Sequence, residues 1–239
     1  MVMHPRQNRL ELLPVPCINR FLVVIVMGVA VGCSGDGGPD GGVRGPEAGQ
    51  LVRAAERGDV SRVRSLLAAG ADVDERNGSG RTAVTAAAMA EDVGLVRMLV
   101  DAGANVDLQD EDRNNPLLLC GESGNVDLLR EVLRAKPNLR ATNRFGGTAL
   151  IPASDRGHVE MVRALLETDV PIDHVNRLGW TALLEAVVLG DGGAAHRRIV
   201  RLLVDAGADT AIADADGVTA LDHARERGYE EIARILNRS

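Results

Sequence analysis

Five short phrases recur along the chain: Thr82-Ala-Val, Asn115-Pro-Leu, Thr148-Ala-Leu, Thr181-Ala-Leu and Thr219-Ala-Leu. The first three steps between them are 33 residues each and the last is 38. Every phrase but the first leads through a Gly-containing turn to a second apolar run, and the first reaches its run through Ala90-Glu91-Asp92. In three places that run ends in Gly-Ala-Asp or Gly-Ala-Asn, at Gly70, Gly103 and Gly207. A fixed period of this length means stacked supersecondary units, none of which can bury its apolar face alone. Aromatic residues are only 2% of the chain, so no large aromatic core is available. An array does not need one, because Ala, Leu and Val can pack thin layers between neighbours.

Six units follow from the period, starting near Gln50, Gly78, Glu111, Arg144, Arg177 and Ala215. Thr82, Thr148, Thr181 and Thr219 stand where an N-cap hydroxyl would close a first helix. Gly58, Gly124, Gly157, Gly190 and Gly228 stand at the break between two helices, where a positive φ suits glycine. In Val159-Glu-Met-Val-Arg-Ala-Leu-Leu166 the apolar spacing predicts one buried helical face. Cys120 takes the place that Ala87, Ala153, Ala186 and Ala224 hold in other units, which reads as a buried small residue and not as a nucleophile. The last unit ends with a polar Glu-Glu-x-x-Arg face, as suits a C-terminal cap.

This pattern resembles the ankyrin repeat, whose ideal unit carries Thr-Pro-Leu-His and then Gly-Ala-Asp, over roughly residues 48 to 239. The resemblance implies an all-α solenoid of helix-turn-helix units with short β-hairpin or loop connections. It also implies a non-catalytic scaffold that grips another protein on a concave surface of hairpin tips and first-helix edges. Carried over by position, that surface in units three to five comprises Glu111, Asp112, Asn114, Glu122, Arg144, Phe145, Asp155, Arg156, Arg177, Leu178, Trp180, Val188 and Leu189. Phe145 and Trp180 are two of the four aromatics in the chain, and aromatic and Arg side chains carry much of the energy at interfaces. The chain departs from the ideal in two ways. No unit keeps the histidine, whose place holds Thr85, Leu118, Ile151, Leu184 and Asp222, so apolar contacts are expected to replace part of the hydrogen bonding between units. Between Gly190 and His196, residues 191–195 form a five-residue insertion in unit five, read as a loop.

The N-terminal part has a different character. Phe21–Val31 is an apolar run of eleven residues behind Arg20, too short to span a bilayer and suited to the core of a secretory signal. It leads into Ala30-Val-Gly-Cys33, which resembles the lipobox of bacterial lipoproteins. That resemblance implies cleavage after residue 32, acylation of Cys33 and attachment to the periplasmic face of a bacterial membrane, with the outer membrane favoured where two exist because Ser34 follows the cysteine. The division expected is a signal over residues 1–32, a Gly-rich tether over 33–49 and the repeat domain over 50–239. Sixteen coil residues reach about 20–25 Å, enough to hold the array off a surface.

The first 32 residues carry Arg6, Arg9, Arg20 and Glu11, so the remainder holds 24 basic and 33 acidic residues, a net charge of −9. Such a chain lacks the basic face that phosphate neutralisation requires, which argues against nucleic acid as a partner. His158 follows an inter-helix glycine, while His174, His196 and His223 fall at unrelated places with no metal-ligand spacing. No serine sits in a nucleophile elbow and no glycine pattern follows a strand to hold phosphate. No cofactor, metal, small-molecule substrate or catalysis is expected. Two other roles remain open for the same array: a structural envelope spacer without a discrete partner, and a secreted host-directed effector.

Overall fold

The computed structural model describes residues 49–238, so the expected signal, Cys33 and nearly all of the tether lie outside the described residues. Within them the run behind each phrase forms a short first helix and the run after it a second, more amphipathic one. Unit one pairs α1 (Gln50–Glu56) with α2 (Val60–Ala68), and unit two pairs α3 (Ala83–Met89) with α4 (Val93–Asp101). Units three and four pair α5 (Pro116–Ser123) with α6 (Val126–Arg134) and α7 (Leu150–Asp155) with α8 (Val159–Leu166). Units five and six pair α9 (Ala182–Val188) with α10 (Ala194–Asp205) and α11 (Ala220–Glu226) with α12 (Glu230–Leu236). The fold is an all-α solenoid. Among the described residues its hairpin ladders are reduced to one antiparallel bridge, between Ala213 and Thr219.

First helices pack in series from α1 through α3, α5, α7 and α9 to α11, and second helices in series from α4 to α12. An inner first helix therefore has a neighbour on either side, and the thin layer between them favours compact side chains. This is why α3 reads Ala-Val-Thr-Ala-Ala-Ala-Met and buries every residue except Met89. Larger side chains are buried on both kinds of helix: Leu117, Leu118, Leu150 and Leu184 on first helices, and Leu95, Leu99, Leu128, Leu129, Met161, Leu165 and Ile199 on second helices. Cys120 sits in this core, and burial pushes its thiol well above the usual range.

Thr82, Thr181 and Thr219 cap their helices as expected, each hydroxyl accepting from the backbone N–H three residues on, and Asn115 does the same for Leu118. Thr148 does not. Its hydroxyl is buried with no hydrogen-bond partner among the described residues, and α7 begins only after Ala149. The cause is Pro152, which has no N–H to donate to the Thr148 carbonyl. The first turn tightens instead, with Ile151 N–H donating to Thr148 O at 3.2 Å and Ala153 N–H to Ala149 O at a long 3.4 Å.

The expectation for Gly190 also needs correction. The positive φ falls instead on Gly192, at 68°. Gly190 is required for a close approach: a Cβ there would stand 2.1 Å from Ala186 O and 2.7 Å from the His196 ring. The five inserted residues are not simply a loop, since Ala194 and Ala195 open the twelve-residue α10. This extra helical turn brings His196 into the place that His158 holds one unit earlier. His158 Nε2 donates to Glu122 O at 3.1 Å, and His196 Nε2 donates to Asp155 O at 2.9 Å. The two histidines are therefore equivalent, which their 38-residue separation conceals.

Asp59, Asp92 and Asn125 each cap their own second helix. In units four to six these caps are absent, and His158, His196 and Tyr229 reach back to a carbonyl of the preceding unit. Further side chains cross between units, among them Gln109 to Thr142 O and the Arg97–Glu131 and Arg134–Asp101 pairs. The missing histidine of the repeat ideal is thus replaced by polar as well as apolar links. Replacing Pro152 by Ala is expected to restore the Thr148 cap and the first α-helical turn of α7. The free energy of unfolding should rise by about 1 kcal/mol in urea titration; a fall would show that the proline ring is required packing.

Candidate functional site

An Asn or Asp stands five residues ahead of every phrase: Asn77, Asp110, Asn143, Asn176 and Asp214. Each side chain accepts backbone N–H groups of the turn that follows, which suits residues that bond their own backbone. Asn143 Oδ1 takes the N–H of Phe145 and of Gly147, and Asn176 Oδ1 those of Leu178 and Trp180. The turns are closed in this way and their second residue is left on the outside. Adjacent tips are joined, Arg177 N–H donating to Phe145 O at 3.0 Å and Arg177 Nη1 to Arg144 O at 2.9 Å.

Between the tips of units four and five and the first helices behind them lies a groove of about 240 Å3. Its rim is apolar: Phe145 is 54% exposed, Leu178 56% and Leu189 51%. Ile151, Pro152 and Glu185 supply its base, and Glu122, Asp155 and Arg156 one end. Of the thirteen residues expected on this surface, Glu122, Phe145, Asp155, Arg156, Leu178 and Leu189 line the groove. Arg144 stands beside it, its guanidinium 4.9 Å from the Phe145 ring centre and 3.6 Å from Asp112. Arg177 is exposed at its tip and Val188 is half-buried. Trp180, expected on the same concave surface, is half-buried, packs partly against the hydrophobic core and does not line the groove. Glu111 and Asp112 are exposed on the tip of unit three, and Asn114 is half-buried with its N–H on Asp110.

Asn143, Asn176 and Glu185 were not anticipated. The recurring Asn/Asp was the available sign for the first two. For Glu185 it was a carboxyl in a column that Ala86, Leu119 and Pro152 occupy in the three preceding units. Glu185 is 7% exposed. Its Oε1 accepts from Asn176 Nδ2 at 2.6 Å, and among the described residues no cation pairs with it. Burial pushes its pKa from 4.5 up to about 7, the Asp155 charge adds to this, and the Asn176 amide works against it. Asp155 is likewise raised, first by burial, with Arg156 and His196 opposing. Glu122 is held by Arg156 at 2.5 Å. The groove is thus a greasy-rimmed cleft over carboxyl groups that outnumber the one arginine among them.

The model for ankyrin repeats (three copies) matches residues 51–141 and again 119–211. The chain belongs to the ankyrin repeat family. A stretch of 52 residues is 52% identical to the ankyrin repeat protein YahD of Escherichia coli K12, covering 22% of this chain and 26% of that relative. An ankyrin repeat domain of Acinetobacter baumannii AYE is 44% identical with a TM-score of 0.77, covering 79% of this chain and 96% of that one. The ankyrin repeat domain of Bcl-3, a member of the IkappaB family, is 29% identical with a TM-score of 0.71, covering 80% and 87%. A chain from the complex of the predatory endopeptidase Bd0816 of Bdellovibrio bacteriovorus with the immunity protein Bd3460 is 25% identical, with a TM-score of 0.67 and coverage of 79% and 97%. Ankyrin repeat domains generally mediate protein–protein interaction and are typically non-catalytic. Among the described residues no helix is long and apolar enough to cross a membrane, and no group of three His, Cys, Asp or Glu is placed to hold a metal ion.

Because Glu185 has a higher pKa folded than unfolded, its burial costs nothing in acid. The cost grows as pH rises above 4.5 and becomes constant above about 7. Glu185→Gln keeps the acceptor for Asn176 and removes the charge. It should raise stability by about 1–3 kcal/mol at pH 8 and by little at pH 4.5, which thermal or urea unfolding across that range would measure. Equal effects at both pH values would contradict the buried-carboxyl account.

Proposed function

We propose that the chain is a non-catalytic scaffold that holds a protein partner on the concave face of units three to five, with the groove between units four and five as its centre. The observation that carries this reading is the exposure of Phe145, Leu178 and Leu189 side by side on one rigid cleft. Large apolar side chains left in water and clustered around a concavity mark an interaction surface. The tips that present Phe145 and Leu178 are held by Asn143 and Asn176 and by each other, so a partner meets a preformed shape and loses little of its affinity to ordering of the host. The complex of Bd0816 with Bd3460 supports the reading by example, since a similar chain occurs there in a protein–protein assembly.

The same proposal places the scaffold on the bacterial envelope, exported by the Phe21–Val31 run and held to a membrane by lipid on Cys33. The spacing of Cys33 behind that run and the Gly-rich stretch between Cys33 and Gln50 support it.

The combined variant Phe145→Ala, Leu178→Glu should lose at least about 2 kcal/mol of partner affinity, the usual cost of removing an interface anchor. Glu231→Ala on α12 should leave binding unchanged. Crosslinking and pull-down from intact cells compares the three chains; recovery of the same proteins in equal amounts by the groove variant would sink the proposal. Cys33→Ser should abolish partitioning of the protein with membranes into detergent, and a wild-type chain recovered at full length from the cytosol would contradict export.

A further inference from the structure

We propose that the groove between units four and five receives an arginine or lysine side chain of the bound protein segment, its alkyl part against Phe145, Leu178 and Leu189 and its charge against Glu185 and Asp155. This rests on the concave face being the binding surface and adds the chemistry of what it takes.

The argument starts from the cost of Glu185. A carboxyl group almost out of water, with one amide for a partner and no cation among the described residues, is unfavourable in an isolated protein. The three preceding units show that Ala, Leu or Pro can fill the same place, so the fold itself does not call for a charge there. The groups facing Glu185 do not relieve it. Asp155 and Glu122 are acidic and Asn176 is neutral, while Arg156 is engaged by Glu122 and His196 by Asp191 and the Asp155 carbonyl. The base of the cleft therefore lacks one positive charge. Its rim sets the second condition, since three exposed apolar side chains suit a ligand group with a long hydrocarbon stem. Arginine and lysine combine a hydrocarbon stem with a charged end, and the guanidinium also fits the plane of a carboxylate. A wholly apolar side chain would leave the carboxyl uncompensated, and an acidic one would be repelled.

A coupling to pH follows. A cation pairs with ionised Glu185, so binding must first expel its proton. With a pKa of about 7 for the free groove, about 3% of Glu185 is ionised at pH 5.5 and about 90% at pH 8, so the apparent affinity should rise about 30-fold between them. Neither arginine nor lysine titrates in that window.

The test uses the full chain and a phage library of random twelve-residue peptides selected at pH 8. Peptides with a basic residue flanked by apolar ones should be enriched. The best of them is synthesised with its arginine replaced by citrulline, or its lysine by acetyl-lysine. At pH 8 that change and, separately, Glu185→Gln should each weaken binding at least ten-fold. The wild-type Kd should fall about 30-fold from pH 5.5 to pH 8, while that of Glu185→Gln should stay flat. Thermal unfolding of the variant checks that its fold is retained. Selected peptides without basic residues, or a Kd indifferent to Glu185→Gln, overturn the inference. If Phe145→Ala and Leu178→Ala still weaken such peptides, the groove stands as the binding surface and the cation alone is refuted. If peptides bind regardless of rim and base, or none is enriched, both fall.

Discussion

Every other feature of this array depends on the packing of one first helix against the next. Each inner first helix touches a neighbour on both sides, so its buried residues must fit a thin layer, filled mostly by Ala in α3 and by Leu in α5 and α9. Thin layers bury little area per residue, and stability has to accumulate along the stack instead of within any unit. That is also why the period is so regular. A unit with a different rise or twist would open a gap on two sides at once.

The insertion in unit five shows how the stack tolerates a change of length. The added residues go where two helices meet at the outside of a layer, and the extra turn of α10 restores the register, with His196 standing where His158 stands one unit before. Gly190, Asp191 and Tyr229 tie the turn to its own unit and to the next. The Asp155 carbonyl that His196 grips belongs to a residue lining the groove. The insertion thus braces the back of the cleft, and its effect on the binding surface would pass through α7 and not through direct contact.

The cleft shows two departures from local preference, both in the same place. Pro152 breaks the first turn of α7, leaving Thr148 without a partner, and Glu185 puts a carboxyl in an apolar column. Residues that weaken local order while lining one concavity are what a functional site looks like when the rest of the fold is consistent. The apolar rim points the same way, since leaving Phe145, Leu178 and Leu189 in water has no structural benefit of its own.

By itself the sequence determined the architecture. A 33-residue period, hydroxyl caps and small-residue runs are local signals repeated often enough that any single exception, such as Thr148, does not matter. It also pointed to the face on which Phe145, Leu178 and Leu189 sit, because position in the unit decides which way a tip residue faces. What the tertiary structure alone decided was which polar and aromatic side chains share a space. Trp180 packs partly against the core, whereas Phe145, two places earlier in its own turn, is exposed beside Leu178 of the next unit. His196 looks unrelated to His158 until the helix turn of the insertion aligns them. Glu185 becomes an uncompensated charge only when the carboxyls of Asp155 and Glu122, one and two units away, are brought around the same cleft. Helix caps and periods act within a few residues of chain, whereas burial and electrostatics act through space, and in a solenoid the relevant space always belongs to more than one unit.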